Sequence, residues 1–214
     1  MPINVLLLGA TGLVGSHLLK LLVADPNVSR IYAPTRRPLA GLGEKVENPN
    51  NSDLKQALNT LTSPIDIAFC CLGTTQKTAG SKEAFYYADV TLPIYGGDIA
   101  LRLGATHYLV VSALGASASS WFFYNRTKGE MEQQLIAQGW PHLSIARPSM
   151  LIGERQEPRK TEQIAAPIFH YFPGKWKSIQ ASDVARTLWL QAFSSSPDAL
   201  TVIESDALRA IAER

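Results

Sequence analysis

Tyr124 and Lys128 are the pair in this 214-residue chain best suited to acid–base chemistry. They are four positions apart, so on a helix their side chains share one face. A phenol beside an ammonium has its phenolate stabilised, and its pKa is expected below the ordinary value of about 10. Such a tyrosine can give a proton to, or take one from, an oxygen that alternates between carbonyl and alcohol. The lysine can also hold a ribose. The spacing alone is not specific: 7 tyrosines and 9 lysines in 214 residues lead to about 0.3 such matches by chance. A second match, Tyr171 to Lys175, encloses Pro173-Gly174, which a regular helix tolerates poorly, and is set aside.

What raises the first match above chance is the nucleotide-binding pattern elsewhere in the chain. The stretch Leu6-Leu7-Leu8-Gly9-Ala10-Thr11-Gly12-Leu13-Val14-Gly15 runs from an apolar strand through a glycine-punctuated turn into a helix. Gly9 suits the tight turn off the strand. Gly12 lets the helix start approach a pyrophosphate, and Gly15 lets the helix pack against its strand. The free N–H groups and positive dipole end of that helix then face the phosphates. The candidate cofactor residues here are Gly9, Thr11, Gly12, Leu13, Val14 and Gly15. The second strand ends in Thr35-Arg36-Arg37, where NAD-binding chains carry an acidic residue for the ribose hydroxyl. Two guanidinium groups at that place favour the 2′-phosphate of NADP(H), because a guanidinium fork matches phosphate. The competing reading is a solvated basic turn. Leu72, Gly73 and Thr74, after a buried strand, suit a loop bordering the same cofactor, and would equally suit an ordinary turn.

Together these runs resemble the atypical and extended short-chain dehydrogenases/reductases, and within them the Tat-interacting-protein oxidoreductases. The likeness is carried by Gly9-x-x-Gly12-x-x-Gly15, Phe69-Cys70-Cys71-Leu72-Gly73-Thr74-Thr75, Tyr124 through Lys128-Gly129-Glu130, Arg147-Pro148, Glu154-Arg155-Gln156-Glu157 and Asp183-Val184-Ala185. It covers nearly the whole chain. The resemblance implies a Rossmann fold that binds NADP(H), with Tyr124 as acid/base and Lys128 holding ribose and tuning the tyrosine. It also implies a serine that orients a substrate carbonyl. Pro148, Ser149 and Met150 would border the nicotinamide. Ser112 is the candidate serine, but Ala113 follows it; if the register places Ala113 at that point, the hydroxyl comes from Ser117, Ser119 or Ser120, or is missing.

The elements that must position these groups are legible as alternating strands and helices. Strands are expected at Ile3–Leu8, Arg30–Thr35, near Lys45–Glu47, and at Ile65–Cys71, His107–Ser112 and His142–Arg147. Helices are expected at Leu13–Ala24, Asp53–Leu61, Ser81–Leu103, Phe122–Ala137 and Asp183–Phe193, the last capped by Ser182 or Asp183. Pro93 and Gly96-Gly97 are expected to bend or break the long helix. The order predicts an α/β fold, a doubly wound parallel sheet in a single domain spanning 1–214. Residues 151–200, irregular after Pro148, form a small C-terminal substrate lobe. Trp121-Phe122-Phe123 before the tyrosine reads as part core, part substrate pocket or subunit interface.

Composition narrows the function classes. The chain is 46% hydrophobic and 18% charged, with a net charge of +2, which offers no basic footprint for nucleic acid or an anionic membrane. Cys70 and Cys71 are adjacent at a strand end and point to opposite faces, so no disulfide is expected and a reducing cytoplasm fits. The four histidines have no ligand-like spacing with them, so no metal is expected. The resulting expectation is an NADP(H)-dependent oxidoreductase acting on a small-molecule carbonyl or alcohol. The Ser112-Ala113 departure keeps open an NADPH-sensing binding protein with little turnover. A homodimer is compatible with the resemblance, in which the tyrosine helix often lies between subunits.

Overall fold

The apolar run near the start of the chain forms β1 (Ile3–Leu8). Its side chains alternate between two faces: Val5 and Leu7 enter one hydrophobic cluster, Leu6 and Leu8 the other, and all four are fully buried. A strand dry on both faces is a central strand with helices on either side. The computed structural model describes residues 2–153, 174–194 and 198–214.

Among those residues, β1 is followed by α1 (Leu13–Ala24), β2 (Val28–Tyr32), β3 (Val46–Glu47), α2 (Leu54–Asn59), β4 (Ile67–Cys70), α3 (Gln76–Ala79) and α4 (Lys82–Tyr86). A π turn at Tyr87–Thr91 leads into α5 (Leu92–Arg102). Then come β5 (His107–Val111), α6 (Phe123–Ala137), β6 (His142–Arg147), β7 (Leu151–Ile152), β8 (Ile179–Gln180), α7 (Ala181–Ala192), β9 (Leu200–Glu204) and α8 (Ser205–Ala212). Seven strands make one parallel sheet in the order β3-β2-β1-β4-β5-β6-β9, and β7 pairs with β8 apart from it. The doubly wound parallel sheet expected from the sequence is therefore present. Helices α1 and α7 cover one face, where Leu18, Leu22, Val184 and Leu188 are buried. The other face holds Leu58, Tyr108, Leu135 and Trp140 under α2, α5 and α6. Trp189 Nε1 donates to Asp25 Oδ2 at 2.8 Å and ties α7 to the end of α1.

Several expected boundaries shift for identifiable reasons. Asp53 caps α2 instead of opening it, its carboxylate accepting the Lys55 amide. Neither Ser182 nor Asp183 caps α7, which starts after Gln180 with Asp183 in its first turn. Gly96 and Gly97 do not break α5. They are buried within it, because a Cβ at Gly96 would lie 2.3 Å from Leu8 Cδ1 and one at Gly97 2.5 Å from Gln138 Oε1. The irregularity lies upstream of Pro93, whose ring and missing N–H displace the carbonyl four residues before it, that of Asp89. The chain widens there into the π turn, in which Leu92 N–H reaches Tyr87 O. Strand β9 and helix α8, unforeseen in the sequence, complete the sheet edge and its cover. The charged run 154–160 and the 171–173 end of the second Tyr-x-x-x-Lys match lie outside the described residues.

Candidate functional site

The strand order reverses direction between β1 and β4, and a ligand crevice in such a sheet opens at the carboxyl ends of the strands at that point. Both flanking loops are there. Gly9, with φ of +81°, turns the chain off β1, and its own Cβ would sit 2.7 Å from the Cys71 carbonyl carbon and oxygen. No side chain fits between the two loops. Gly15 lies so close under the turn that a Cβ would come 2.1 Å from Gly9 O. Gly12 is the extended cap residue of α1, and its N–H bonds back to Gly9 O at 2.9 Å.

The first turn of α1 has no side-chain cap and no acidic residue. Its amides are open to an anion, and a bare glycine leaves room for it. These residues fit a dinucleotide pyrophosphate. Leu13 and Val14 are buried, so their contribution there is backbone only, whereas Thr11 is exposed. Arg36 and Arg37 are exposed beyond the end of β2. Their backbone is fixed by Thr35, whose hydroxyl donates to Arg37 O at 2.6 Å and accepts from Asn48 Nδ2 at 2.8 Å.

Tyr124 and Lys128 stand on α6 as expected, one turn apart. Lys128 is almost wholly buried, and its Nζ lies 2.7 Å from Oδ1 of Asp89, a carboxylate with no exposed surface. The other Asp89 oxygen accepts the Thr74 amide at 3.0 Å. Sequence reasoning missed Asp89 altogether; the signal available was a lone acid four residues before a helical proline. Tyr124 is 41% exposed overall and packs its ring 5.8 Å from that of Phe85.

The surroundings of the phenol act against the expected lowering of its pKa. Burial pushes the Tyr124 phenol above its ordinary range; Lys128 opposes this, and Asp89 adds to it. Lys128 is held above the ordinary lysine range, since its attraction to Asp89 and Tyr124 outweighs the burial that opposes it.

Ser112 does not present its proton to the crevice. Its hydroxyl is buried and donates to Glu132 Oε1 at 2.5 Å. Glu132, two turns beyond Tyr124 on α6, also takes two bonds from Arg147, from Nε at 3.0 Å and Nη2 at 2.5 Å. Arg147 continues to Glu204 of β9 at 3.1 Å. The hydrogen bond to Glu132, with the charges of Glu132 and Glu204, holds the Arg147 guanidinium well above its ordinary range. The alternatives lie in the loop before α6: Ser117 and Ser119, both exposed, bond each other at 3.0 Å, and Ser120 Oγ accepts the Phe122 amide, which does not use its own proton.

The β6 end is likewise engaged. Pro148 O accepts from Leu114 N, Met150 O from Ile179 N, and Ser149 bonds through its amide to Ser205 and through its hydroxyl to Lys177 O. Ser149 thus faces the C-terminal segment with both polar groups occupied. Leu72 and Gly73 precede Thr74 in the loop after β4; Leu72 packs against the hydrophobic core, and a Cβ on exposed Gly73 would lie 3.8 Å from Asp89 Oδ1. Both cysteines are free thiols. Among the described residues no cluster of His, Cys, Asp or Glu could hold a metal ion, and no helix is long and apolar enough to cross a membrane.

Residues 4–90 match the family described as Semialdehyde dehydrogenase, NAD binding domain. Protein FMP52, mitochondrial, of Candida albicans is 36% identical over 191 residues, covering 84% of this chain and 83% of that protein. Protein HTATIP2 of Rattus norvegicus is 30% identical over 212 residues, covering 96% and 87%. Among solved structures, MoeE5 in complex with UDP-glucose and NAD superposes with a TM-score of 0.69 at 19% identity, covering 98% of this chain and 81% of that one. The UDP-glucuronic acid 4-epimerase from Bacillus cereus in complex with NAD superposes at 0.71 with 14% identity, covering 94% and 76%. These two likenesses establish the fold. The expectation of a cytoplasmic protein does not stand, because fungal relatives are named as mitochondrial.

Proposed function

The chain belongs to the atypical short-chain dehydrogenases/reductases of the Tat-interacting-protein kind, and from that premise we propose that it is an NADP(H)-dependent oxidoreductase acting on a small-molecule carbonyl/alcohol pair. The nicotinamide-nucleotide-binding, oxidoreductase-type fold is common ground; the choice of NADP and the turnover are our reading. The observation that carries it is the placement of Tyr124 and Lys128 on α6 in the fold whose glycine turn and uncapped α1 suit a pyrophosphate. Gly9, Gly12 and the first amides of α1 would hold the phosphates, with Leu72, Gly73, Thr74, Pro148 and Met150 as walls. Arg36 and Arg37, exposed at the end of β2, would take the 2′-phosphate.

A bound nicotinamide would supply or accept the hydride. Tyr124 is the group that gives the carbonyl oxygen its proton in reduction, or removes it in oxidation. A phenol is protonated at neutral pH, so Tyr124 has a proton to give in reduction, and its phenolate would take one back in oxidation. Lys128 holds the ribose side. Ser112 supports the site indirectly, by bonding Glu132 on the helix that carries Tyr124 and Lys128.

The commitment of the Ser112 proton to Glu132 supports a second reading, an NADPH-sensing binding protein with little turnover. One experiment separates the two. NADPH and NADH are titrated into the protein by fluorescence, and a panel of aldehydes and ketones is then offered with NADPH. The enzyme reading expects NADPH-dependent reduction of at least one carbonyl, lost in Tyr124→Phe with nucleotide affinity nearly kept. Tight NADPH binding without any turnover would favour the sensor. Absence of binding at millimolar nucleotide would refute both.

A further inference from the structure

The backbone ladder that extends β2 stops at Thr35. Ala33 N donates to Glu47 O and Thr35 N to Pro49 O, and Thr35 O accepts from Asn51 N. Among the described residues no backbone–backbone bond reaches the segment that follows, Arg36-Arg37-Pro38-Leu39. Side chains take over where the ladder ends. Asn48 Oδ1 accepts the Leu39 amide at 2.9 Å, and its Nδ2 donates to Ala33 O at 2.6 Å and to Thr35 Oγ1 at 2.8 Å. Thr35, itself buried, gives its own proton to Arg37 O at 2.6 Å.

The direction of each bond follows from its partners. The Leu39 N–H only donates and the Ala33 carbonyl only accepts, so the amide oxygen of Asn48 faces Leu39 and its NH2 faces Ala33 and Thr35. Thr35 Oγ1 therefore accepts from Asn48, which leaves its proton for Arg37 O. Pro38 adds a φ fixed by its ring. The turn is held at Thr35, Arg37 and Leu39, while the side chains of Arg36 and Arg37 stand exposed. Among the described residues neither guanidinium is in an ion pair, and the acid on β3, Glu47, is engaged by Arg30 at 3.4 Å.

We propose that Thr35 and Asn48 are positioning residues for cofactor choice, their hydrogen-bond relay holding the Arg36–Arg37 turn in the shape that receives a 2′-phosphate. This inference rests on the assignment of Arg36 and Arg37 to that phosphate. A guanidinium fork binds phosphate well only in the right orientation. A loose turn has to be ordered at each binding event, and that lost entropy is subtracted from the affinity. With the relay in place the backbone is ordered beforehand, and only the arginine side chains remain to be fixed. NAD(H) lacks the 2′-phosphate and does not use the turn, so the effect falls on NADP(H) alone.

The test is fluorescence titration of NADPH and NADH into the wild type, Thr35→Val, Thr35→Ser, Asn48→Ala and Arg36→Ala. Thr35→Val keeps the side-chain shape and removes both hydroxyl bonds. It is expected to weaken NADPH about fivefold to tenfold and NADH by less than about twofold. Thr35→Ser restores the hydroxyl and is expected to return both affinities to within about twofold of the wild type. Asn48→Ala should shift the ratio in the same direction as Thr35→Val. A merely structural role would weaken both dinucleotides alike. Hydrogen exchange of the nucleotide-free protein is the second measurement: the Leu39 amide should exchange slowly in the wild type and about tenfold faster or more in Asn48→Ala.

An unchanged NADPH-to-NADH ratio in Thr35→Val, with Arg36→Ala narrowing it, would overturn the proposal and leave the NADP assignment standing. A wild type that binds the two dinucleotides equally would refute the assignment and this inference with it. A wild-type Leu39 amide that exchanges like an unprotected one would overturn the proposal whatever the titrations show.

Discussion

Gly15→Ala should weaken NADPH binding about tenfold to a hundredfold while leaving the protein folded. An alanine Cβ at this position would lie 2.1 Å from Gly9 O, 2.8 Å from Gly9 C and 3.2 Å from Ala10 Cα. All three are backbone atoms, so no side-chain rotation relieves the clash. The turn cannot retreat either, because Gly9 is itself backed by the Cys71 carbonyl, 2.7 Å from where its own Cβ would be. The start of α1 must therefore move outward by roughly 1 Å to restore ordinary contact.

A hydrogen bond from a helix amide to phosphate, stretched from about 2.9 to about 3.9 Å, is lost. Bonds to charged groups contribute about 1.5–3 kcal/mol each, which converts to the stated loss of affinity. Overpacking of this kind costs about 1–3 kcal/mol of stability, small enough for the fold to survive. The assay is NADPH fluorescence titration beside thermal unfolding. Gly43→Ala serves as control, because a Cβ there meets only Val23 Cγ1 at 3.9 Å. Gly15→Ala binding as tightly as the control would refute the argument that the glycine turn places α1 against the phosphates.

Four further outcomes are expected. Tyr124→Phe should abolish carbonyl reduction in single-turnover assays with NADPH while changing nucleotide affinity by less than about threefold, since it removes the proton donor and keeps the ring against Phe85. Arg36→Ala should weaken NADPH by about tenfold and leave NADH nearly unchanged, narrowing the difference measured by parallel titration. Glu132→Ala should cost about 2–3 kcal/mol, read by denaturant unfolding, because it strips Arg147 and Ser112 of their shared acceptor while Glu204 still pairs with the arginine. Acid should destabilise the protein through His107, whose pKa is lowered from 6.5 to about 4 by burial and by His142. Below 6.5 the unfolded chain takes up a proton that the native one refuses, so stability falls as pH drops from 6.5 towards 4. The wild type should lose about 2 kcal/mol more than His107→Gln between pH 7 and 5 in urea titrations.

The Glu132 and His107 outcomes depend on contacts that the sequence does not display, and this divides what could be foreseen from what could not. Local physics writes itself into sequence. The alternation of β1, the turn at Gly9–Gly12 and the helix that follows depend on neighbours within a few residues, and each was legible. So was the sharing of one face of α6 by Tyr124 and Lys128, a consequence of helical spacing alone. The parallel order followed from alternating strands and helices, since crossovers of that length leave few topologies. Strand β9 escaped because its exposed Leu200 and Val202 give it an edge strand's mixed pattern, and its pairing with β6 is settled only in the sheet.

The chemistry of the site was decided in three dimensions. Whether Lys128 lowers the Tyr124 pKa depends on what else reaches the ammonium, and Asp89 arrives from another helix segment through a π turn. Whether Ser112 has a proton to offer depends on Glu132 and Arg147, which come from α6 and β6. By itself the sequence determined the residue types, their local spacing and the elements that carry them. Only the tertiary structure decided which charges are buried together, because the field at a buried group is set by every element packed around it.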